Sequence, residues 1–214
     1  MKQYGIAKSV VFPMKQSDSS SLVDESMRNA ESHDKRFFFF LRFNPKATTI
    51  KELSAISGRF SGFKLHPRIE GFDPLSSRFT ELFGYLEELG KPVLVHSRKE
   101  GTPYSDPDRL VRLAGMYKGI NFVFGHFAND SEAFFRRASR YDNVFVETSI
   151  VSSPKIIENR VAQIGADRIL FGSDFPYSDQ EIELLKIQKS ELQNRDKRKI
   201  LSENATRLLK YGRS

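Results

Sequence analysis

The segments PVLVHS at residues 92–97 and NFVFGHF at residues 121–127 decide the fold. Each is a short apolar run, rich in Val and Phe, that is too short to be a helix of the core. The segment between them is longer and amphipathic, which is typical of a surface helix. A strand, a helix and a second strand without a hairpin signal indicate two parallel strands that a crossover helix joins.

Five further runs of the same kind lie on either side of this unit. They are AKSVVFP (7–13), RFFFFLRF (36–43), FSGFKLHP (60–67), NVFVETS (143–149) and RILFGSDF (168–175). Because no hairpin signal joins any of these runs, we expect seven parallel strands that alternate with helices. A closed (β/α)8 barrel needs eight such units. The sequence therefore predicts an α/β fold, a TIM-type barrel that lacks its first strand.

The chain has 214 residues and no segment that resembles a linker. We interpret residues 1–214 as one barrel domain that is incomplete at its N-terminal side, since MKQYGI at residues 1–6 resembles the last turn of a helix. The alternative is an open doubly wound sheet, which tolerates any number of strands. That fold usually has a Gly-rich phosphate loop, and the chain contains neither G-x-G-x-x-G nor G-x-x-x-x-G-K-[ST].

Helix boundaries are predicted from apolar spacing and capping residues. Apolar residues repeat at intervals of three and four over residues 79–89, and Gly90 ends that helix. A second repeat covers residues 134–141, and the last helix is expected over residues 196–209. The predicted N-terminal caps are Thr49 with Glu52, Ser178 with Glu181, and Ser153 before Pro154.

Composition excludes several classes of protein. The absence of cysteine excludes disulfides, thiolate metal sites and a cysteine nucleophile. No apolar run can span a membrane and the N-terminus has no signal-peptide core, so we expect a cytoplasmic protein without membrane contacts. The net charge is +7, with the basic excess in the C-terminal helices. No aromatic residues alternate with these basic residues, which favours a solvated helix face over a nucleic-acid surface.

Polar residues occur where the predicted strands end, and three of the four histidines are among them. His66, His96 and His126 each end an apolar run, and Asp174 and Glu147 occupy similar positions. The carboxyl ends of the strands form the active-site face in a barrel of this type. We therefore expect these side chains to meet at the barrel mouth.

Strand alternation indicates which side chains face the mouth, because successive residues of a strand point to opposite faces. In FKLHP, Lys64 and His66 share one face, and the apolar residues take the other. The same argument turns Asp174 toward the mouth. Either Glu147 or Thr148 could face inward, and this choice stays open.

Imidazole and carboxylate groups that are buried together need a partner, and a divalent metal ion satisfies both. A single histidine at a strand end is more often a hydrogen-bonded core residue, so the metal hypothesis depends on the whole set. The fourth histidine, His33, lies in a polar stretch and is expected to be exposed. A Ser–His–Asp hydrolase is disfavoured, since the chain has no G-x-S-x-G motif.

The chain resembles the amidohydrolase-related family of metal-dependent TIM-barrel hydrolases and decarboxylases in segments that span nearly its whole length. They are GFKLHP (62–67), PVLVHSR (92–98), FGHF (124–127), NVFVETS (143–149), RILFGSDFPY (168–177) and ILSENATRLL (200–209). GFKLHP and RILFGSDFP are specific in combination. VLVHSR and GHF are less so, because a related family of metal-dependent deoxyribonucleases has similar segments.

The resemblance implies a role for each candidate residue. His96 matches a metal ligand, and Asp174 matches the carboxylate that binds the metal and transfers a proton. His126 matches a residue that either binds metal or acts as a general acid or base. Lys64 and His66 match positions that line the substrate site. The implied cofactor is a divalent metal ion, commonly zinc in this family, and the implied partner is a small-molecule substrate.

The implied function is hydrolysis of a small amide, ester or lactone by metal-activated water. Asp174 would take the proton of this water, and His126 would steady the oxyanion or protonate the leaving group. Three alternatives stay open. They are a non-oxidative decarboxylase on the same scaffold, a metal-dependent deoxyribonuclease, and a catalytically impaired barrel that acts as a binding protein.

The sequence departs from the family at the first strand. That strand supplies two metal ligands in an H-x-H pair, and the chain contains no H-x-H. Catalytic activity is therefore in question, and one hypothesis is that the chain is an N-terminally shortened metallohydrolase. A missing strand would leave unpaired edges near residues 7–13 and 168–174, so the sequence also predicts self-association through these edges.

Overall fold

Seven short strands form one parallel sheet in the computed structural model, which describes residues 1–14 and 36–210. Each strand pairs with the next one in the chain, and the sheet curls as part of a TIM barrel with β1 and β7 at its two edges. The strands are β1 Ser9–Val11, β2 Phe37–Arg42, β3 Gly62–Leu65, β4 Val93–Val95, β5 Phe122–Phe124, β6 Val144–Glu147 and β7 Ile169–Leu170. The predicted strands and fold class are confirmed.

The register aligns apolar residues across the sheet. Phe63 pairs with Val93, Val93 with Phe122, and Phe122 with Val144. These side chains are fully buried in the main core, which also contains residues of the surrounding helices. Aromatic and β-branched residues suit this position because both faces of a parallel sheet are covered.

Helices follow the strands and cover the outer face of the sheet. They are α1 Ile50–Ile56, α2 Pro67–Glu70, α3 Thr80–Glu88, α4 Pro107–Leu110, α5 Arg112–Met116, α6 Glu132–Ala138, α7 Pro154–Ile164, α8 Gln180–Lys189, α9 Asn194–Arg198 and α10 Asn204–Lys210. A π-helical turn at Lys199–Glu203 joins α9 to α10, and a short 3-10 turn lies at Lys2–Tyr4. None of the helices in residues 1–14 and 36–210 is long and apolar enough to cross a membrane.

The helix boundaries partly match the sequence prediction. Thr49 and Glu52 form the predicted capping box at α1. Gly90, with a φ of 62°, has the left-handed conformation that glycine adopts readily after a helix. The cap of α8 is Asp179 rather than Ser178, because the Asp179 carboxylate accepts hydrogen bonds from the first backbone N–H groups of the helix.

Three further boundaries are corrected. Ser153 precedes Pro154 at α7 as predicted, but its side chain makes no capping hydrogen bond. The repeat over residues 134–141 corresponds to α6, which ends at Ala138. The predicted last helix is the run of α9, the π-helical turn and α10, and it begins earlier, at Asn194.

The inward-facing side chains form a second, smaller apolar cluster, which we call the interior cluster. It contains Phe40, Leu94, Val123, Phe145 and Leu170 from the strands, and Leu208 and Leu209 from α10. Val10, Phe12 and Phe38 pack against it from the beginning of the chain. The last helix therefore covers the interior of the partial barrel.

Candidate functional site

The predicted site residues converge at the carboxyl ends of the strands. They are Lys64 in β3, and His66, His96, His126 and Asp174, which follow β3, β4, β5 and β7. Parallel strands end at the same edge of a sheet, so residues that are far apart in the sequence meet there. His33 lies outside the described residues, and its predicted exposure stays a prediction.

A chain of hydrogen bonds, which we call the Glu147–His96 relay, connects four side chains at this edge. The Ser149 hydroxyl lies 2.8 Å from Glu147 Oε1 and 3.0 Å from His126 Nδ1. His126 Nε2 lies 3.0 Å from His96 Nδ1. Because the Ser149 hydroxyl donates to the carboxylate, it accepts from His126 Nδ1–H. The neutral His126 ring then accepts at Nε2 from His96 Nδ1–H.

This arrangement leaves His96 Nε2 without a proton. Among the described residues, this buried nitrogen has no hydrogen-bond partner. Its nearest charged neighbour is Glu100 Oε2 at 3.5 Å, and the Glu100 carboxylate is paired with Arg68 at 2.9 Å and Arg98 at 3.1 Å. Burial lowers the pKa of His96, so the ring is neutral and its lone pair is free to accept a hydrogen bond or bind a metal ion.

Glu147, not Thr148, faces the site, which resolves the choice that the sequence leaves open. Its carboxylate also accepts hydrogen bonds from the backbone N–H groups of His126, at 2.5 Å, and Ser149, at 2.8 Å. Gly172 packs directly against this carboxylate, and a Cβ atom at that position would overlap it. The close approach of the two strand ends therefore requires glycine.

His126 begins a turn with an unusual backbone, which we call the left-handed turn. All five residues of His126–Asp130 have positive φ values, between 48° and 55°, and none is glycine. A left-handed backbone costs an L-residue roughly 1–2 kcal/mol, so the surroundings must hold the turn in place. Nothing in GHFAND (125–130) predicts this turn, because its only glycine precedes it.

His66 stacks on His96, with ring centroids 3.8 Å apart and 14° between the ring planes. It also caps α2, because its Nδ1 accepts a hydrogen bond from the Ile69 N–H at 3.4 Å. Burial and the nearby Lys64 charge lower the pKa of His66 to about 3. A neutral ring therefore covers one side of the Glu147–His96 relay.

Lys64 places a buried positive charge beside the relay. The residue is 5% exposed, and its ammonium group lies 4.9 Å from the centre of the Phe12 ring. Burial lowers the pKa of Lys64 to about 8, while the charges of Glu147 and Asp174 oppose this change. Lys64 is therefore mostly protonated at neutral pH.

Asp174 lies beyond the end of β7 and has a φ of 51°. Strand alternation therefore does not determine its direction, contrary to the sequence argument. Its Oδ2 lies 4.0 Å from His126 Nδ1. Burial and the neighbouring Glu147 charge raise the pKa of Asp174, while His126 and Lys64 oppose this change. The carboxyl group thus lies near His126 and is partly buried.

A buried ion pair beside Lys64 is the part of the site that the sequence prediction missed. Arg42 lies next to Lys64 across β2 and β3, and its Nη2 is 2.6 Å from Glu70 Oε1. Both side chains of the pair are 3% exposed. Alternation along RFFFFLRF (36–43) places Arg42 on the inward face with Phe38 and Phe40, and this is the signal that could have found it.

The donor atoms at the mouth are of the kinds that divalent metal ions prefer. Within residues 1–14 and 36–210, however, no three His, Asp or Glu side chains are arranged to hold one ion together. His126 explains this, because its Nε2 faces His96 and its Nδ1 faces Ser149. The predicted set of His96, His126 and Asp174 therefore does not fit a metal ion in this arrangement.

The chain belongs to the amidohydrolase family, whose sequence model matches residues 4–211. Solved structures have the same fold. An uncharacterized TIM-barrel protein from Bordetella bronchiseptica is 20% identical, with 99% of this chain and 80% of that protein covered and a TM-score of 0.84. The 5-carboxyvanillate decarboxylase from Sphingomonas paucimobilis is 14% identical, with 98% and 81% covered and a TM-score of 0.80.

A third neighbour is the dihydroxybenzoic acid decarboxylase from Polaromonas sp., which was solved with manganese and the inhibitor 2-nitroresorcinol. It is 15% identical, with 100% of this chain and 85% of that protein covered and a TM-score of 0.75. At such low identities these likenesses establish the fold. No curated protein matches the chain.

Proposed function

We propose that this chain removes the carboxyl group of a hydroxylated aromatic carboxylic acid as CO2, without an oxidant. The observation that carries this proposal is a buried ammonium group, Lys64, and a partly buried carboxyl group, Asp174, at one barrel mouth. The decarboxylases from Sphingomonas and Polaromonas have the same fold, which supports this alternative over the hydrolase that the sequence led us to expect.

Loss of CO2 from an aromatic ring requires a proton on the ring carbon that bears the carboxylate. Asp174 donates this proton, the bond between the ring carbon and the carboxylate breaks, and CO2 leaves. The electron pair of the broken bond restores the aromatic ring, and the solvent returns a proton to Asp174. The raised pKa of Asp174 supports this role, because the carboxyl group must hold a proton before it can donate it.

Lys64 binds the phenolate oxygen of the substrate. Negative charge on this oxygen increases the electron density at the neighbouring ring carbon, which then accepts the proton more readily. The buried position of Lys64 supports this role, because a charge in a buried site interacts more strongly with a substrate anion than an exposed charge does.

His126 lies beside Asp174 on the side of the relay, with its Nδ1 4.0 Å from Asp174 Oδ2. His66 stacks on His96 and closes the site beside it, where the sequence predicts contact with the substrate.

A divalent ion is a further part of the proposal, with His96, His126 and Asp174 as the candidate ligands. The sequence predicts zinc, and the Polaromonas enzyme holds manganese. Binding by His126 would require this ring to give up its hydrogen bond to His96, whereas His96 Nε2 has a free lone pair and can bind an ion with the relay intact. Equilibrium dialysis with each ion tests this, and the expected result is that His96→Gln abolishes binding while His66→Gln retains it.

Turnover of a substrate panel tests the reaction. The panel contains 2,6-dihydroxybenzoate and 5-carboxyvanillate, together with an aryl ester, an amide and a lactone, each with and without added manganese or zinc. In D2O, mass spectrometry should find deuterium at the ring carbon that lost its carboxylate. Asp174→Asn should lower turnover by about 100-fold or more. Asp142→Asn is the matched control at an exposed aspartate and should leave turnover unchanged.

Two results of this assay would overturn the proposal. Hydrolysis of the ester, amide or lactone without release of CO2 identifies a hydrolase instead. No turnover of any panel member by the folded protein overturns catalysis, and binding of a panel acid would then support the binding-protein alternative.

A further inference from the structure

The left-handed turn is held at its far end by a residue from another helix. Arg160 of α7 donates from Nε to Asp130 Oδ1 at 2.7 Å and from Nη2 to the Asp130 carbonyl oxygen at 3.0 Å. The guanidinium group therefore binds both the side chain and the backbone of the last residue of the turn. A forked contact of this kind fixes orientation as well as distance.

Arg160 is also connected to the turn by contacts between two aromatic rings. Its guanidinium group lies 4.4 Å from the centre of the Phe135 ring. The Phe135 ring centroid is 5.4 Å from that of Phe127, the second residue of the turn. Both rings are buried in the main core, so they transmit a displacement of Arg160 to the turn.

The other restraints on the turn come from different parts of the barrel. At its beginning, the His126 N–H donates to Glu147 Oε1 at 2.5 Å. Near its end, Asn129 Oδ1 accepts from the Lys99 N–H at 3.3 Å. L-residues rarely adopt positive φ values, so removing a restraint is expected to let this backbone relax.

We propose that Arg160 is a positioning residue, which holds the left-handed turn and thereby keeps the His126 imidazole in the Glu147–His96 relay. Its importance for turnover rests on the proposed function, but its effect on His126 does not. The Arg160 side chain is 11% exposed and makes no contact with the relay. It acts only through the turn.

Nitrogen NMR of the imidazole rings tests this role directly, because the signals report which nitrogen carries the proton. In the wild-type protein, we expect His126 to be protonated at Nδ1. Arg160→Met should shift the His126 and His96 signals and lower kcat by up to roughly 100-fold, with KM changed less than about twofold. Arg160→Lys should have an intermediate effect, because lysine keeps the charge and loses the forked contact.

Glu132→Gln is the matched control. Glu132 Oε2 lies 2.6 Å from Arg160 Nη1, but Glu132 is outside the turn, so both the NMR signals and kcat should stay unchanged. Ala128→Gly should partly restore the signals in the Arg160→Met background. Ala128 has a φ of 48°, which glycine adopts without steric cost. With glycine at this position, the turn needs less restraint from Arg160.

Unchanged His126 and His96 signals in folded Arg160→Met overturn the inference, whatever the effect on turnover. If that variant does not fold, the signals of Arg160→Lys decide in the same way. An inactive wild-type protein overturns the proposed function but not the inference on Arg160, because the NMR comparison does not depend on turnover.

Discussion

His126 Nε2 lies 3.0 Å from His96 Nδ1, so the imidazole groups at two neighbouring strand ends are hydrogen-bonded to each other. Each ring follows a different strand, and the parallel pairing of β4 and β5 brings them together. Glu147, which ends the next strand β6, and Ser149 in the loop after it set the direction of this hydrogen bond. The mouth of the barrel is therefore one connected network rather than a set of separate groups.

Ser149→Ala should disconnect this network. His126 Nδ1–H then loses its acceptor, so the proton is no longer confined to one nitrogen, and turnover should fall by about 10-fold to 100-fold. Steady-state kinetics and imidazole NMR measure the two effects. Ser139→Ala, at an exposed serine after α6, should change neither. A fully active Ser149→Ala variant would show that catalysis does not use the relay.

Lys64 should make stability depend on pH in the alkaline range. Its pKa in the folded protein is about 8, below the ordinary value of 10.5, so between these values the unfolded chain binds a proton that the folded chain does not. The contribution of Lys64 to the free energy of unfolding therefore rises with pH from about 8 to 10.5 and is constant below that range.

Urea denaturation of wild type and Lys64→Met at several pH values measures this contribution. The difference in the free energy of unfolding, wild type minus variant, should increase across the alkaline range. A difference that stays constant with pH would show that Lys64 titrates normally in the folded protein.

Breaking the Arg42–Glu70 pair should be costly. Glu70→Gln leaves the Arg42 charge buried and unpaired, and should lower the free energy of unfolding by about 3–5 kcal/mol. The double replacement Arg42→Met with Glu70→Leu should cost much less, because no charge is left in the interior. Chemical denaturation measures both values.

An exposed ion pair provides the control for this experiment. Asp167 lies 2.9 Å from Lys199 and is about half exposed. Asp167→Asn should cost about 0–1 kcal/mol. If Asp167→Asn and Glu70→Gln lowered the free energy of unfolding equally, the buried pair would be as well solvated as the surface pair.

Self-association through the sheet edges can be tested on β1. The Ser9 N–H donates to the carbonyl group of Arg36, so the backbone of Ser9 and Val11 faces β2, and that of Val10 faces the outer edge of the sheet in the described residues. Sedimentation velocity should show that wild type associates as its concentration rises. Val10→Pro removes an outward N–H group and should weaken association while β1 stays paired with β2. A wild-type protein that is monomeric at every concentration would contradict this prediction.

The strands and part of the site could be predicted because their signals are local. Alternation along FKLHP separates Lys64 from Phe63 and Leu65, and in the observed β3 the two apolar side chains lie in the main core while Lys64 does not. Thr49 and Glu52 are close enough in sequence for their capping box to be recognised. The convergence of His96 and His126 follows from the rule that parallel strands end at one edge.

The remaining features depend on contacts between distant residues, and no local pattern contains them. Glu70 is the partner of Arg42 only because the fold brings the last residue of α2 beside the last residue of β2. The left-handed turn depends on restraints from Glu147 and Arg160, which lie on other elements. The direction of Asp174 depends on the loop beyond β7, where alternation no longer applies.

The sheet can assemble in the order in which a ribosome releases it, because every strand pairs with its neighbour in the chain. The interior cluster cannot, since Leu208 and Leu209 of α10 are synthesised after all seven strands and belong to the same cluster as Phe40 of β2. During translation, the apolar inner face of the first strands therefore stays open to water and to other nascent chains. A chaperone that binds extended apolar segments should protect this face until α10 has been synthesised.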